Sequence, residues 1–167
     1  MDSSNKRGFT LVELLVTIAV AAVLISVVVP SFTGLIESSK ERATRDALVA
    51  SINAAKQQAQ SKRINVYICP TTDGSSCSGT WGSDWLIYED TDGSATLDAS
   101  LGDLIISNNT SKTSHIASLV SQIAFSPTGH STINTFQVCS NTDDSVVYEI
   151  ELSRMGRISY AAAAGGC

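Results

Sequence analysis

Polarity along the chain changes its period twice. From Phe9 to Val29 the residues are apolar except for Thr10, Glu13, Thr17 and Ser26. At about 1.5 Å per residue, a helix over this run is long enough to cross a bilayer. Pro30 closes the block and predicts a kink or local melting, because proline removes an amide donor. Beyond it, "IESSKERATRDALVASINAAKQQAQSKR" is rich in helix formers, and Leu48, Ile52, Ala55 and Ala59 recur at helical spacing. That narrow stripe, half of it alanine, predicts close contact with a sheet. Past Arg63 the period falls to two. Ile64, Val66 and Ile68 alternate before Cys69, and "VVYEIELS" sets Val146, Tyr148, Ile150 and Leu152 against Val147, Glu149 and Glu151. "GRISY" supplies a short return strand, with Ser153 to Gly156 as the hairpin connection. Turn signals at Asp92-Gly93 and Pro127 to Gly129 divide the remainder into further short strands. The expected fold class is α+β. A long N-terminal helix, transmembrane in its first half, packs its second half on one antiparallel β head.

Charge orients the apolar run. Lys6 and Arg7 precede it, so the positive-inside rule leaves the N-terminus cytoplasmic and sends the remainder outward. The far end, "SVVVPSF", is bulky and β-branched, unlike the small-residue cleavage site of a secretory signal. Glu13 is the difficulty. An acidic group at the centre of a membrane helix costs about 2.5–3.5 kcal/mol on insertion scales, and less near an interface. Lys6 and Arg7 lie too far back to pair with it across one helical turn. A cut between Gly8 and Phe9 would create an α-amine one turn before Glu13. The same amine could meet Glu13 of a neighbouring copy, so that assembly offsets the cost of the buried carboxylate.

Residues "KRGFTLVELLVTIAVAAVL" closely resemble the prepilin leader and N-terminal helix of type IV pilins and type II secretion pseudopilins. The resemblance implies cleavage by a prepilin peptidase between Gly8 and Phe9, N-methylation of Phe9, and a role for Glu13 in recruitment and register. It divides the chain into a leader (1–8), a transmembrane and filament-core helix (9–29), an amphipathic continuation (30–63) and a β-rich head (64–167). Three stretches of the head, "GTWGSDWLIYEDTDG", "IAFSPTGHSTINTFQVC" and "ELSRMGRISY", are similar to the minor-pilin group FimT/FimU and the H-type pseudopilins. The function implied is that of a structural minor pilin that helps to initiate and cap type IV pilus assembly. Alternatives are an H-type pseudopilin of a type II secretion system and a pilus-tip DNA receptor. The implied partners are prepilin peptidase, other pilins or pseudopilins, an inner-membrane assembly platform, and membrane lipid before assembly. The implied location is the bacterial inner membrane as a single pass with a periplasmic head, and afterwards the pilus tip.

Export would place Cys69, Cys77, Cys139 and Cys167 in an oxidising compartment, where four cysteines allow three pairings. The expected pairs are Cys69–Cys77, closing a short loop, and Cys139–Cys167, tying the frayed "AAAAGG" to the sheet. Crossed pairings are the alternative.

Composition weighs against other chemistry. The net charge is −5, and between Asp73 and Glu151 eleven acids face a single Lys112. Affinity for a phosphate backbone grows with the number of cations, so Arg154 and Arg157 make a weak candidate DNA contact. The family's "G-R-x-R" ends here in Ser159, which weakens it further. The helix from Glu37 to Arg63 carries six cations against three anions, read as a solvated basic face. His115 and His130 stand at no metal-ligand spacing from the cysteines, so no metal is expected. "EDTDGSATLD" offers Glu89, Asp90, Asp92 and Asp98, but its glycine is out of register for a calcium loop and it reads as a turn. Without a glycine-rich phosphate loop or a G-x-S-x-G elbow, neither catalytic residues nor cofactors are expected, and the chain is read as a non-enzyme.

Overall fold

The computed structural model describes residues 9–111 and 114–167, without the side chains of residues 27–31 and 33. The leader 1–8, including Gly8, and the Pro30 side chain therefore lie outside the described residues. The elements are α1 (Leu11–Lys62), β1 (Asn65–Pro70), β2 (Asp84–Asp90), a 3-10 turn (Ala99–Leu101), β3 (Leu104–Thr110), β4 (Ser114–Ser118), β5 (Ile123–Phe125), β6 (Asn134–Ser140), β7 (Val146–Leu152) and β8 (Ile158–Ala162). The chain divides after Ser38 into two units.

In the first unit the backbone of α1 stays helical through Pro30, so the proline does not end the helix. Leu11, Val12, Leu14, Leu15, Val16, Ile18, Val20, Val23, Leu24 and Ile25 are exposed, an apolar surface on which no described residue packs. The hydroxyls within it bond to their own helix, Thr17 to the Leu14 carbonyl at 2.8 Å and Ser26 to that of Val23 at 2.7 Å. Among the described residues no helix is long and apolar enough to cross a membrane. The expected span 9–29 includes three positions, 27–29, whose side chains are not described.

In the second unit the predicted stripe is the part of α1 that packs. Leu48, Ile52, Ala55 and Ala59 are fully buried. They share one core with Val66 and Ile68 of β1, Trp85 and Ile87 of β2, Phe136 and Val138 of β6, and Ile150 and Leu152 of β7. Fully burying one such large side chain is worth about 1.5–3 kcal/mol. Polar pairs fix the helix on the strands: Trp85 Nε1 donates to Ser51 Oγ at 2.9 Å, and Thr44 Oγ1 lies 2.7 Å from Ser111 Oγ. Arg63, with φ of 58°, turns the chain out of the helix.

The strands build the expected antiparallel head from two sheets, ordered β3-β2-β1-β5 and β4-β6-β7-β8. Trp81 helps to join them, stacking edge-on against Phe136 with centroids 5.0 Å apart and donating to the Val120 carbonyl. Strand β1 is buried on both faces, because Tyr67 and Cys69 pack with Leu86 and Tyr88 away from the helix. On β7 the predicted alternation appears, with Val146, Ile150 and Leu152 buried and Glu151 exposed.

Candidate functional site

The start of α1 is built by a local sequence rule. Thr10 stands just before the first helical residue, and Glu13 three positions on. The Glu13 amide donates to Thr10 Oγ1, while the Thr10 amide and hydroxyl both reach Glu13 Oε2, each at 3.3 Å. This reciprocal pair is a capping box: two otherwise unpaired donors are satisfied, and the carboxylate sits at the positive end of the helix. The T-x-x-E spacing at the head of an apolar run is the sequence signature of this box. Phe9 projects before it, 80% exposed. A protruding aromatic and a capped carboxylate thus stand together at the entrance to an unpartnered apolar helix.

In the head, the "RMGR" hairpin is held from α1. Lys56 Nζ donates to the carbonyls of Met155 at 3.2 Å and Gly156 at 3.0 Å. Gly156 is buried with φ of 66°, and a Cβ there would meet the Gly129 carbonyl oxygen at 2.9 Å. The two glycines of the family-like segments "SPTGH" and "RMGR" therefore meet on the helix, which gives both a packing role. Arg154 and Arg157 are exposed on either side. Close by, Glu149 and Glu151 line a shallow cavity with Ser159, Tyr160 and Ala161. Arg45 adds a second fastening, its guanidinium 4.6 Å from the Tyr148 ring centroid and 4.7 Å from that of Tyr160.

The cysteines join as Cys69–Cys77 and Cys139–Cys167, with Cα atoms 5.6 and 6.3 Å apart. The acidic loop spends its carboxylates on its own backbone. Asp90 accepts from Gly93 and Ala95, Asp92 from Ser94, and Asp103 from Thr91 and Asp98. Burial raises the Asp90 carboxyl above its ordinary range against those two amide bonds. Burial, then Tyr67 and the charges of Asp90 and Asp103, push the Tyr88 phenol up. Burial also works to raise Glu89, but hydrogen bonds from Gln58 and Lys62 and the Lys62 charge outweigh it and hold the carboxyl low. Its partners are close, Gln58 Nε2 at 2.6 Å and Lys62 Nζ at 2.7 Å. One juxtaposition escaped the reading along the chain: the register of β4 on β6 sets His115 opposite Cys139.

A capped carboxylate opening an exposed apolar helix, followed by an amphipathic helical half on antiparallel sheets, defines a type IV pilin-like subunit. A family model described as "Type II transport protein GspH" matches residues 44–156, more than half of the chain, and a "Prokaryotic N-terminal methylation motif" matches residues 3–29. The chain belongs to the GspH family of minor pilins and pseudopilins, whose members are structural rather than catalytic. Among curated proteins it is similar to the type II secretion system core protein G of Dickeya chrysanthemi, 37% identical over 69 residues, 41% of this chain and 42% of that one. The core protein G of Escherichia coli strain K12 is 34% identical over 71 residues, 42% of this chain and 46% of that one. The matched segment spans less than half the length of these curated relatives. The fold is that of the Pseudomonas aeruginosa type IV minor pilin FimU. Two crystal forms superpose with TM-scores of 0.56 and 0.59 at 20% and 19% identity, over 74% and 78% of this chain and 96% of FimU.

Proposed function

We propose that this protein is a structural minor pilin that helps to initiate and cap type IV pilus assembly, without catalytic activity. Prepilin peptidase cuts between Gly8 and Phe9, and the new Phe9 amine is N-methylated. Residues 9–29 then hold the subunit in the inner membrane as a single pass in contact with lipid, N-terminus cytoplasmic and head periplasmic. Glu13 guides recruitment by the assembly platform and register against other pilins. Pro30 lets the helix bend as it passes from bilayer to filament, and the head ends at the pilus tip outside the cell. The observation that carries this reading is the single charged residue of the 9–29 run, Glu13, positioned by Thr10 at the mouth of an exposed apolar helix. Glu13→Ala in the native host tests it. Surface pili should fall in number and the variant should stay membrane-extractable as an unassembled subunit. Unchanged piliation and partner recruitment would refute the assignment, as would a mature N-terminus lying before Phe9.

The family description and the likeness to core protein G favour a second reading, an H-type pseudopilin of a type II secretion system. Deletion would then abolish exoprotein secretion and leave pili intact. The exposed Arg154 and Arg157 support a third, a DNA receptor at the pilus tip. Normal piliation with DNA uptake lost in Arg157→Ala would select it.

A further inference from the structure

Strand β8 ends the order β4-β6-β7-β8, and its outer edge is open. The Ser153 amide donates to the Arg157 carbonyl at 3.0 Å, and the Ala163 amide to that of Val147 at 3.1 Å. In an antiparallel ladder such exchanges recur at every second residue. Ser159, opposite Glu151, and Ala161, opposite Glu149, therefore turn their amides and carbonyls towards β7. Ile158, Tyr160 and Ala162 turn theirs outward, where no described group receives them. Natural sheets blunt such an edge with lysine, proline or a bulge, and "ISYAA" carries none of these. Ser159, Tyr160, Ala161 and Ala162 are all exposed.

The chemistry of the two faces names what fits there. On the face turned away from the core, Glu149 and Glu151 stand beside Ala161 and Ser159 and share a shallow cavity with them and Tyr160. Ser159 Oγ donates to Glu151 at 3.3 Å. Among the described residues neither carboxylate is ion-paired, and Arg157, next on the same face, pairs with neither. An added strand would run about 4.8 Å outside β8 and about 9.6 Å from β7. Ser159 and Ala161 are too short to fill that distance, so a lysine or arginine can lay its stem over them and set its charge at the carboxylates. On the other face Tyr160 is half exposed and Arg45 already lies on its ring, so an apolar residue fits and a second cation does not. We propose that the β8 edge is a docking site for an extended basic segment of a partner protein, which places two alternate cations over Glu149 and Glu151 and an apolar residue between them over Tyr160. Main-chain hydrogen bonds to Ile158, Tyr160 and Ala162 supply affinity, and the two carboxylates select the sequence. This surface belongs to the head alone and does not depend on the pilus role proposed above, so its failure would leave that role standing.

The test is fluorescence anisotropy at low salt with the full-length chain in detergent. The probe is a labelled, end-blocked peptide with a lysine–valine–lysine centre flanked by threonines. Saturable binding is expected, lost when glutamate replaces both lysines. The Glu149→Gln, Glu151→Gln variant should bind about fivefold or more weakly. Ala162→Pro removes an outward amide without breaking the β7 ladder, and should abolish binding with near-ultraviolet dichroism unchanged. Two further peptides, N-methylated at alternate positions in opposite phase, probe the edge without altering the protein. One of them should lose binding and the other keep it, because only one set of peptide amides faces β8. No binding, equal binding of the lysine and glutamate peptides, an unchanged affinity in the double glutamine variant, or equal behaviour of the N-methylated pair would overturn the proposal. If Ala162→Pro disturbs the fold, the N-methylated pair decides. Self-association of the chain that Ala162→Pro abolishes would give the edge to a second copy, and would also overturn it.

Discussion

Replacing Gly156 by alanine tests whether the "RMGR" hairpin is built for packing on α1. Two costs add. A left-handed conformation costs an alanine about 1–2 kcal/mol. The new methyl would also stand 2.9 Å from the Gly129 carbonyl oxygen, 2.9 Å from Lys56 Nζ and 3.0 Å from Lys56 Cδ. Forcing a carbon into such a site costs about 1–3 kcal/mol. Against this, alanine restricts the unfolded chain and returns about 0.4–1 kcal/mol. The net expectation is a loss of roughly 2–3 kcal/mol. Gly93→Ala is the control, since its φ is 78° but no atom lies within 4 Å of the added carbon. It carries the conformational cost alone, roughly 1 kcal/mol after the same offset. Urea unfolding of the full-length chain in detergent, followed by the buried Trp81 and Trp85, should show Gly156→Ala well below Gly93→Ala. At roughly 2–4 °C per kcal/mol, thermal midpoints should separate the two by several degrees. Adding Lys56→Ala to Gly156→Ala should recover only part of the difference, because the Gly129 carbonyl remains. Equal midpoints for the two glycine variants would refute the packing argument.

Arg45→Ala should cost about 1–2 kcal/mol and Arg45→Lys less, because only the planar guanidinium fits between the Tyr148 and Tyr160 rings; equal losses on urea unfolding would contradict this. Glu89 has a native pKa held below its unfolded value near 4.3, so its contribution is present above about pH 4.3 and lost as pH falls through the lower native value. Glu89→Gln should therefore flatten the acid limb of the stability–pH curve, and an unaltered limb would contradict it. Loop-closure entropy assigns roughly 3.6 kcal/mol to Cys139–Cys167 and roughly 2.5 kcal/mol to Cys69–Cys77, from sequence separations of 28 and 8. Paired serine replacements should lower the urea midpoint in that order, and the reverse order would count against the entropic account.

The sequence made the helical half of the fold readable because Leu48, Ile52, Ala55 and Ala59 obey a single period and bury together. It made β7 and β8 readable for the same reason, through strict alternation and an intervening turn. Strand β3 escaped because "LIISNNT" is an edge strand whose residues are all exposed or half-buried, leaving little contrast between its faces. The split into two sheets escaped because it depends on which strands pair, as with β5, which joins β1 across more than fifty residues. The same limit hid the His115–Cys139 contact, since only strand register brings residues so far apart in sequence together. At the helix start the Thr10–Glu13 box is a purely local rule that needs no tertiary information, yet treating Glu13 as an unpaired charge passes over it.

Under the function proposed above, that local rule would alter the thermodynamics of joining a fibre. A lone subunit does not present a bare carboxylate, since Glu13 already holds the donors of Thr10. In the assembly role proposed above, entry into a filament would exchange one satisfied state for another, so the gain per subunit would be a small difference. Such an exchange can discriminate between right and wrong neighbours without trapping either, and a subunit that departs recloses its own cap.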